Sequence, residues 1–373
     1  MRRFPLPVIL FLHLAAVAFA GTNGILEGTV RDKITSEKIP GVAVLIVGTQ
    51  QGSASDGEGY FQVQNLRAGT YEVRFSHVGY QTLIIKNITI NPDLRTRLNV
   101  QMEPADVQMQ EIIVIQEKPP IQRDVTGTTF SFSSEEMKLL PLTKLTEVVT
   151  LKAGVTAEGN IRGGKTTEVL YLVDGLPVQD VLSGGLKTDL PNSSISGLSL
   201  YTGGFEPEYG NALSGVVNIV TKTGSDRHRF YARGAKDNLF GGTQVSKTNE
   251  VEFSASGPLV EDELFYFASG SGLFTDTRWW QDFQYFFKGP FDRTYTGFGK
   301  IDYIISPSLR LGTQVLIADR DWRDYEFNWR FNLSGLPPEH RTSYRIAAIL
   351  SHTVSDDFFY TASLSRFSLR ARI

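Results

Sequence analysis

The sequence predicts a mainly β protein built in three successive parts: a small N-terminal β-sandwich, a mixed α/β domain, and the first strands of an antiparallel transmembrane β-barrel. Three observations support this prediction. Short strand patterns recur about every 10 residues up to residue 104. Helix-capping signals follow residue 133. From residue 228, longer strands alternate apolar with polar residues, and their connections alternate between short and long.

Composition narrows the function classes before any motif is considered. The 373 residues carry 37 Lys+Arg against 40 Asp+Glu, a formal net charge of −3, so no basic excess points to nucleic acid. The absence of cysteine excludes disulfides, thiolate zinc sites, iron–sulfur clusters and cysteine nucleophiles. The 35 Gly, 14 Tyr and 24 Phe favour β structure with many tight turns.

The N-terminus predicts an export signal in residues 1–20. Arg2 and Arg3 precede an apolar stretch over 8–19, and Ala18 and Ala20 supply the small residues that a signal peptidase recognises. We expect cleavage after Ala20 and a mature chain outside the cytoplasm, which argues against chemistry that depends on ATP or nicotinamide.

Residues 21–104 predict the β-sandwich. Tyr71, Val73 and Phe75 alternate with polar residues, as in a half-buried strand. Turn residues such as Asp56-Gly57 separate the segments, and a tight turn fits them better than a calcium loop, whose ligand spacing is missing. The predicted strands cover 25–30, 43–47, 59–63, 69–77, 81–85 and 96–102. The elements GTVRD, SASDGEGYF, LRAGTYEV and HVGYQT resemble the carboxypeptidase-regulatory-like domain, which implies a transthyretin-like fold without catalysis of its own.

Residues 105–124 predict an extended linker, because Pro104, Pro119 and Pro120 stand among polar neighbours. Inside the linker lies a short β-branched run over 111–115. Two interpretations stay open for this run. It is one more sandwich strand, or it is an exposed strand that a partner adds to its own sheet.

Residues 125–227 predict the α/β domain. Ser133 and Glu136 form a capping box, and a second helix is expected over 143–152 with Gly154 as its stop. Residues 159–166 match the phosphate-loop pattern, with Asp174 in the place of a magnesium ligand. A phosphate loop must open a helix, and the residues after Thr166 are rich in strand formers instead. The sequence therefore argues against a nucleotide site.

The same region resembles the plug domain of TonB-dependent outer-membrane receptors. The segments IRGG, VLYLVDGLP, SLYTGGFEPEYG and NALSGVVNIVTKTG follow one another in the order of that family. The resemblance implies a plug motif that comprises Arg162, Gly163, Gly164, Asp174, Gly175, Glu208, Tyr209, Gly210 and Asn218.

The preceding regulatory-like domain resembles the branch that includes the SusC-type glycan importers. The resemblance also identifies 111–115 as a TonB box, the strand that TonB grasps to open a path through the plug. The implied box residues are Glu111, Ile112, Ile113, Val114 and Ile115.

Residues 228–373 predict the barrel strands. Leu309, Leu311, Val315 and Ile317 fall on one face of a strand and the polar residues on the other, which is the apolar-out, polar-in pattern of outer-membrane barrels. A soluble β-sandwich is the alternative. Seven strands are expected, over 229–235, 250–257, 264–272, 295–304, 309–318, 342–351 and 358–367.

Two long connections are rich in aromatic residues. They form either an interfacial girdle or stacking surfaces for ligands such as sugar rings. Barrels that hold a plug have about 22 strands, so the sequence is expected to be a truncated reading frame or a fragment. The aromatic residues are Trp279, Trp280, Phe283, Tyr285, Phe286, Phe287, Trp322, Tyr325, Phe327, Trp329 and Phe331.

The predicted function is TonB-dependent active transport of a ligand, a glycan, a siderophore or a similar compound, across the outer membrane of a Gram-negative bacterium. The alternatives are a surface binding or adhesion protein without transport and a secreted nucleotide enzyme. We expect no enzymatic activity, since no Ser/His/Asp set or carboxylate pair stands out as catalytic, and we expect no cofactor and no nucleic acid. We also expect no metal, because the five His show no metal-ligand spacing. The expected partners are TonB, outer-membrane lipid and, as a further candidate, a surface lipoprotein.

Overall fold

The computed structural model describes residues 23–49, 51–67, 69–90, 95–105, 112–115, 129–139, 145–156, 159–179, 184–204, 209–210, 212–237, 247–277, 280–306, 308–355 and 358–372. The predicted signal peptide, Glu111 and Glu208 lie outside these residues. Within them, no helix has the length and apolar character needed to cross a membrane.

The N-terminal sandwich consists of two sheets that enclose one apolar core. One sheet has the order β4-β1-β7, with β8 also paired to β1, and the other has the order β3-β2-β5-β6-β9. Alternate residues of the strands point inward, so that Leu26, Phe61 and Phe75 are almost fully buried. The strands are β1 Asn23–Asp32, β2 Ala43–Ile46, β3 Gly52–Ala54, β4 Tyr60–Arg67, β5 Gly69–Ser76, β6 Leu83–Ile90, β7 Arg95–Arg97, β8 Val100–Met102 and β9 Ile112–Ile115.

The structure differs from the linker prediction at β9. This strand lies parallel to β6 and continues the five-stranded sheet, with Ile84 opposite Ile113. The sandwich therefore extends beyond the predicted boundary at residue 104. The physical reason is that β6 offers an unpaired row of main-chain groups, and a short β-branched run satisfies them.

The middle domain holds a five-stranded sheet of order β10-β13-β14-β11-β12, in which β11 and β14 run parallel. Two short helices, Ser134–Leu139 and Leu145–Thr150, agree with the predicted pair, and Leu145, Val148 and Val149 are buried in the core. The strands are β10 Thr129–Ser133, β11 Val169–Val173, β12 Leu176–Pro177, β13 Ile195–Tyr201 and β14 Gly215–Thr221.

Seven antiparallel strands then pair in chain order, which confirms the predicted meander. All seven strands are longer than predicted. The short connections span 261–263, 307–308 and 356–357, and the long ones span 237–248, 276–291 and 323–338. The strands are β15 Arg229–Lys236, β16 Asn249–Val260, β17 Leu264–Thr275, β18 Asp292–Ser306, β19 Leu309–Trp322, β20 Glu339–Ser355 and β21 Phe358–Arg372.

The inner strands of the seven-stranded sheet bury polar residues on one face and expose apolar ones on the other, as the barrel prediction requires. The outward residues Val251, Phe253, Val315, Ile317 and Ile346 are 40–61% exposed, whereas the inward residues Glu250, Glu252, Lys300, Gln314 and Arg345 are at most 9% exposed. The inward apolar exceptions join the core of the middle domain, which therefore packs directly against this sheet. They are Phe267, Phe298 and Leu316.

The aromatic residues of the two longest connections form a small core of their own. Phe283 is fully buried, and its ring centroid lies 5.2 Å from that of Phe291 and 6.0 Å from that of Tyr325. Leu333 and Leu336 complete this cluster. Other aromatic side chains of these loops, such as Phe331 at 88%, remain exposed. Part of the aromatic content therefore holds the two loops together.

Candidate functional site

The turn between β11 and β12 is the centre of the site. Asp174 and Gly175 both have positive φ, 50° and 73°, which is the left-handed pair that a two-residue hairpin turn requires. Asp-Gly is one of the residue pairs that best tolerate this geometry, so the sequence folds this way for local reasons. The turn directs the Asp174 carboxylate inward, where it is 3% exposed.

Asp174 is held by the neighbouring strand and by the seven-stranded sheet. The Thr221 main-chain N–H donates to Asp174 Oδ1 over 2.8 Å, and the Thr221 hydroxyl donates to Oδ2 over 2.5 Å. Lys300 Nζ of β18 lies 3.1 Å from Asp174 Oδ2 and 3.1 Å from Thr221 Oγ1. This buried ion pair joins the middle domain to the sheet.

The ion pair keeps Asp174 ionised. Burial alone raises the pKa of a carboxyl, but the Lys300 ammonium and the two Thr221 hydrogen bonds outweigh it and lower the pKa of Asp174 below its ordinary value. Arg345 contributes in the same direction through its charge. The carboxylate is therefore a fixed negative charge in the interior.

Arg345 of β20 binds the backbone of the same turn. Its Nη1 donates to the carbonyl oxygen of Val173 over 2.7 Å and to that of Leu176 over 3.4 Å. The side chain is fully buried, and its Nε and Nη2 have no hydrogen-bond partner in the part of the chain that the structure describes. Two cations from different strands of the sheet thus converge on one turn of the middle domain.

Three further contacts connect the two units away from this turn. The Ser193 N–H donates to Glu252 over 2.6 Å, the Ser343 hydroxyl donates to that of Thr188 over 2.9 Å, and Arg341 lies 2.9 Å from Asp189. The middle domain is therefore bound along the buried polar face of the sheet.

The remaining residues of the predicted plug motif lie near the N-terminal end of β11 or within the five-stranded sheet of the middle domain. A Cβ on Gly203 would lie 2.6 Å from the Arg162 guanidinium, and one on Gly164 would lie 2.3 Å from Ser214, so these turns are in close contact. Gly163 has a φ of 79°. Tyr209 is buried, with its ring 5.7 Å from that of Tyr201. Asn218 is fully buried in β14, and Gly210 follows Tyr209 in a turn.

The phosphate-loop pattern has no phosphate-binding geometry. After Lys165 comes a three-residue 3₁₀ turn, Thr166–Glu168, and then β11. The Glu168 carboxylate accepts the Lys165 N–H over 3.1 Å, so an anionic group of the chain itself already uses this donor. A Walker-type loop instead needs the first amides of a helix.

Sequence reasoning missed the residues that come from the seven-stranded sheet. Lys300 and Arg345 are separated from their partners by 126 and 172 positions. The sequence signal for each residue was a single cation at an inward position of a strand with alternating polar and apolar residues. Sequence reasoning also missed the contact of His340 with Asp321, over 2.7 Å across neighbouring strands, close to Asp319.

Two family matches cover most of the first 217 residues. Residues 26–114 match the CarboxypepD_reg-like domain, and residues 121–217 match the TonB-dependent Receptor Plug Domain. The first match ends within β9, as the sandwich itself does.

Individual curated relatives are named TonB-dependent transporters or receptors. The TonB-dependent transporter Oar of Myxococcus xanthus is 25% identical over 301 residues, which are 71% of this chain and 28% of Oar. The TonB-dependent receptor SusC of Bacteroides thetaiotaomicron is 25% identical over 238 residues, 58% of this chain and 22% of SusC. The chain thus spans about a quarter of the length of these curated relatives.

The fold has a counterpart among solved structures. The siderophore receptor PirA from Pseudomonas aeruginosa superposes with a TM-score of 0.51 at 21% identity, over 67% of this chain and 44% of PirA. At this identity the likeness concerns the fold alone.

Proposed function

Because the chain joins a carboxypeptidase-regulatory-like domain to the plug domain and the barrel strands of a TonB-dependent outer-membrane receptor, we propose that it serves TonB-dependent import of a ligand across the outer membrane of a Gram-negative bacterium. One observation carries the proposal. The core of the middle domain continues into the inward face of the seven-stranded sheet, as a plug seated in a barrel requires. The buried Asp174–Lys300 pair fixes the plug in that position.

The names of the relatives indicate a broad class of ligand. SusC and Oar are named as a TonB-dependent receptor and transporter, and a further relative, of Pseudomonas aeruginosa, is named a ferric enterobactin receptor. We propose a glycan, a siderophore or a similar compound, which enters between the long connections. The short connections then face the periplasm.

The proposed coupling element is the TonB box at 111–115. Four of its residues form β9, an edge strand whose outer side has no strand partner within the described residues. Main-chain donors and acceptors on such an edge can pair with an incoming strand. TonB, outer-membrane lipid and a surface lipoprotein remain the proposed partners.

The test is thiol crosslinking to TonB. Single cysteines replace Glu111, Ile112, Ile113, Val114 or Ile115 in a chain without other cysteines. The chain, folded in detergent micelles so that both faces are accessible, is mixed with the periplasmic domain of TonB that carries one cysteine. We expect crosslinks along 111–115, and none from Ala54→Cys on β3, the opposite edge of the same sheet.

Equal crosslinking at Ala54 and at 111–115 would remove the TonB-box assignment. No binding of the TonB domain at all would favour the alternative, a surface binding protein without transport.

A further inference from the structure

The N-terminal sandwich contacts the short-turn end of the seven-stranded sheet. Arg67 Nη2, at the end of β4, lies 2.8 Å from Asp302 Oδ1 of β18. The Asp302 side chain is 6% exposed and that of Arg67 is 30% exposed, so the pair is largely shielded from water. Removal of one partner from a shielded pair of this kind is strongly destabilising, because the other charge then stays buried without a counter-ion.

Two further polar contacts, one of them made by the Arg310 guanidinium, surround this pair. The Asn65 side-chain amide lies 3.4 Å from the Thr353 hydroxyl of β20, and Arg310 Nη1 of β19 lies 3.4 Å from the Gln51 side-chain oxygen. The sandwich thus touches three neighbouring strands of the sheet at the end where the short connections lie. The contact surface is polar, as expected of an interface that opens and closes.

We propose that the sandwich is a clamp on the periplasmic end of the barrel, held by the Arg67–Asp302 pair, and that this clamp opens before the middle domain rearranges. The inference rests on the proposed function, because that function assigns the short connections to the periplasm. The strand that TonB would bind, β9, belongs to the sandwich sheet. A pull on β9 therefore acts on the sandwich first and on the middle domain afterwards.

Release of the clamp also changes the charges around the buried site. Asp302 and Lys300 are two residues apart on β18 and both point inward. When Arg67 leaves, Asp302 becomes a second acceptor for the Lys300 ammonium. Lys300 is then shared between Asp302 and Asp174, and the ion pair that holds the β11–β12 turn weakens.

The experiment measures docking by crosslinking within the whole chain. Asn65→Cys and Thr353→Cys introduce the only two thiols of the protein, and a short bifunctional thiol reagent joins them in membrane vesicles. In this background, Arg67→Glu should slow crosslinking about tenfold, the effect of losing roughly 1.4 kcal/mol of docking free energy. Adding Asp302→Arg to that variant should restore the rate, and the conservative Asp302→Asn should slow it as Arg67→Glu does.

Arg95→Glu is the matched control, because Arg95 pairs with Glu27 inside the sandwich. It should leave crosslinking unchanged. A second readout is amide exchange in Val169–Val173, which should be faster in Arg67→Ala than in the parent chain and unchanged in Arg95→Ala.

An unchanged crosslinking rate in both Arg67→Glu and Asp302→Asn would overturn the role of the ion pair. A parent chain that does not crosslink would overturn the docking itself. Neither outcome affects crosslinking of 111–115 to TonB, so failure of the clamp is distinguishable from failure of the proposed function.

Discussion

At the scale of single residues, Asp174 links three separate elements. It terminates β11, it accepts two hydrogen bonds from the end of β14, and it pairs with Lys300 of the seven-stranded sheet. A buried ion pair of this kind adds little net stability relative to an apolar pair, but removal of one partner leaves an uncompensated charge. Its structural role is therefore to fix one arrangement of the middle domain on the sheet.

We expect Asp174→Asn to destabilise the folded chain by about 3–5 kcal/mol, since Lys300 would remain buried without its counter-ion. Urea unfolding in detergent micelles measures the change. Asp226→Asn serves as the control, because within the described residues Asp226 forms only exposed ion pairs, and its loss should leave the midpoint in place. A midpoint for Asp174→Asn equal to that of the parent chain would contradict the structural role of the pair.

The same carboxyl gives a directional pH prediction. Because its folded-state pKa is lowered, Asp174 contributes stability that is fully present above the unfolded-state value, about 3.9, and that is lost as the pH falls through the folded-state pKa. The stability difference between the parent chain and Asp174→Asn should therefore be larger at pH 6 than at acidic pH. Thermal unfolding over a pH series measures it, and a constant difference would refute the prediction.

At the scale of elements, the β11–β12 turn needs a residue that accepts left-handed backbone. Gly175→Val should destabilise the chain by about 1–3 kcal/mol, because a β-branched side chain at a φ of 73° is strained. The melting temperature is the readout. Gly57→Ala is the control: a Cβ there meets no atom within 4 Å and the backbone is not left-handed. Equal melting temperatures for both variants would count against the strained turn.

The loop over 159–168 gives a prediction of absent binding. Its main-chain donor at Lys165 is used by Glu168, and strand β11 follows where a phosphate loop would open a helix. Neither the parent chain nor Lys165→Ala should bind ATP measurably in calorimetry. Saturable binding by the parent chain that Lys165→Ala abolishes would reinstate the nucleotide hypothesis.

These elements also show which structural features can be predicted from a sequence. The Asp174-Gly175 turn, the two helices and the seven strands were predictable because their signals are local: a left-handed pair, a capping box, a period of two. β3 has only three residues and left no pattern of its own. For β9 the sequence left two interpretations open, a sandwich strand or a strand for a partner, since an apolar β-branched run suits any free strand edge. Its pairing with β6 depends on where β6 lies in the folded sandwich, which no local pattern shows.

At the scale of the whole molecule, the contact between domains depends on pairs that are remote in sequence. The Arg345 interaction with the Val173 carbonyl spans 172 positions, and no local rule connects the two. The polar, inward position of Arg345 could be read from the alternation of its strand, but its partner could not. Fold and family were therefore more predictable than the network that holds the domains together.

Arg345→Met should weaken the attachment of the middle domain to the sheet by about 1.5–3 kcal/mol, the loss of a hydrogen bond from a charged donor. Amide exchange in β11 and β12 measures the effect, and these strands should exchange faster. Arg372→Met, an exposed change at the end of β21, is the control and should not alter that exchange. Identical exchange in both variants would mean that Arg345 does not secure the turn.

In the orientation proposed above, the length of β20 determines how far this strand extends beyond the apolar band of the membrane. Its 17 residues correspond to about 56 Å at a rise of roughly 3.3 Å per residue. With a tilt of about 40°, the strand covers roughly 43 Å of height, against an apolar band of about 25 Å. Since the short connections leave little room below the band, most of the excess lies on the side of the long loops. In the proposed orientation, the aromatic core around Phe283 then lies beyond the apolar band on the outer side, where its loops extend the protein surface away from the lipid.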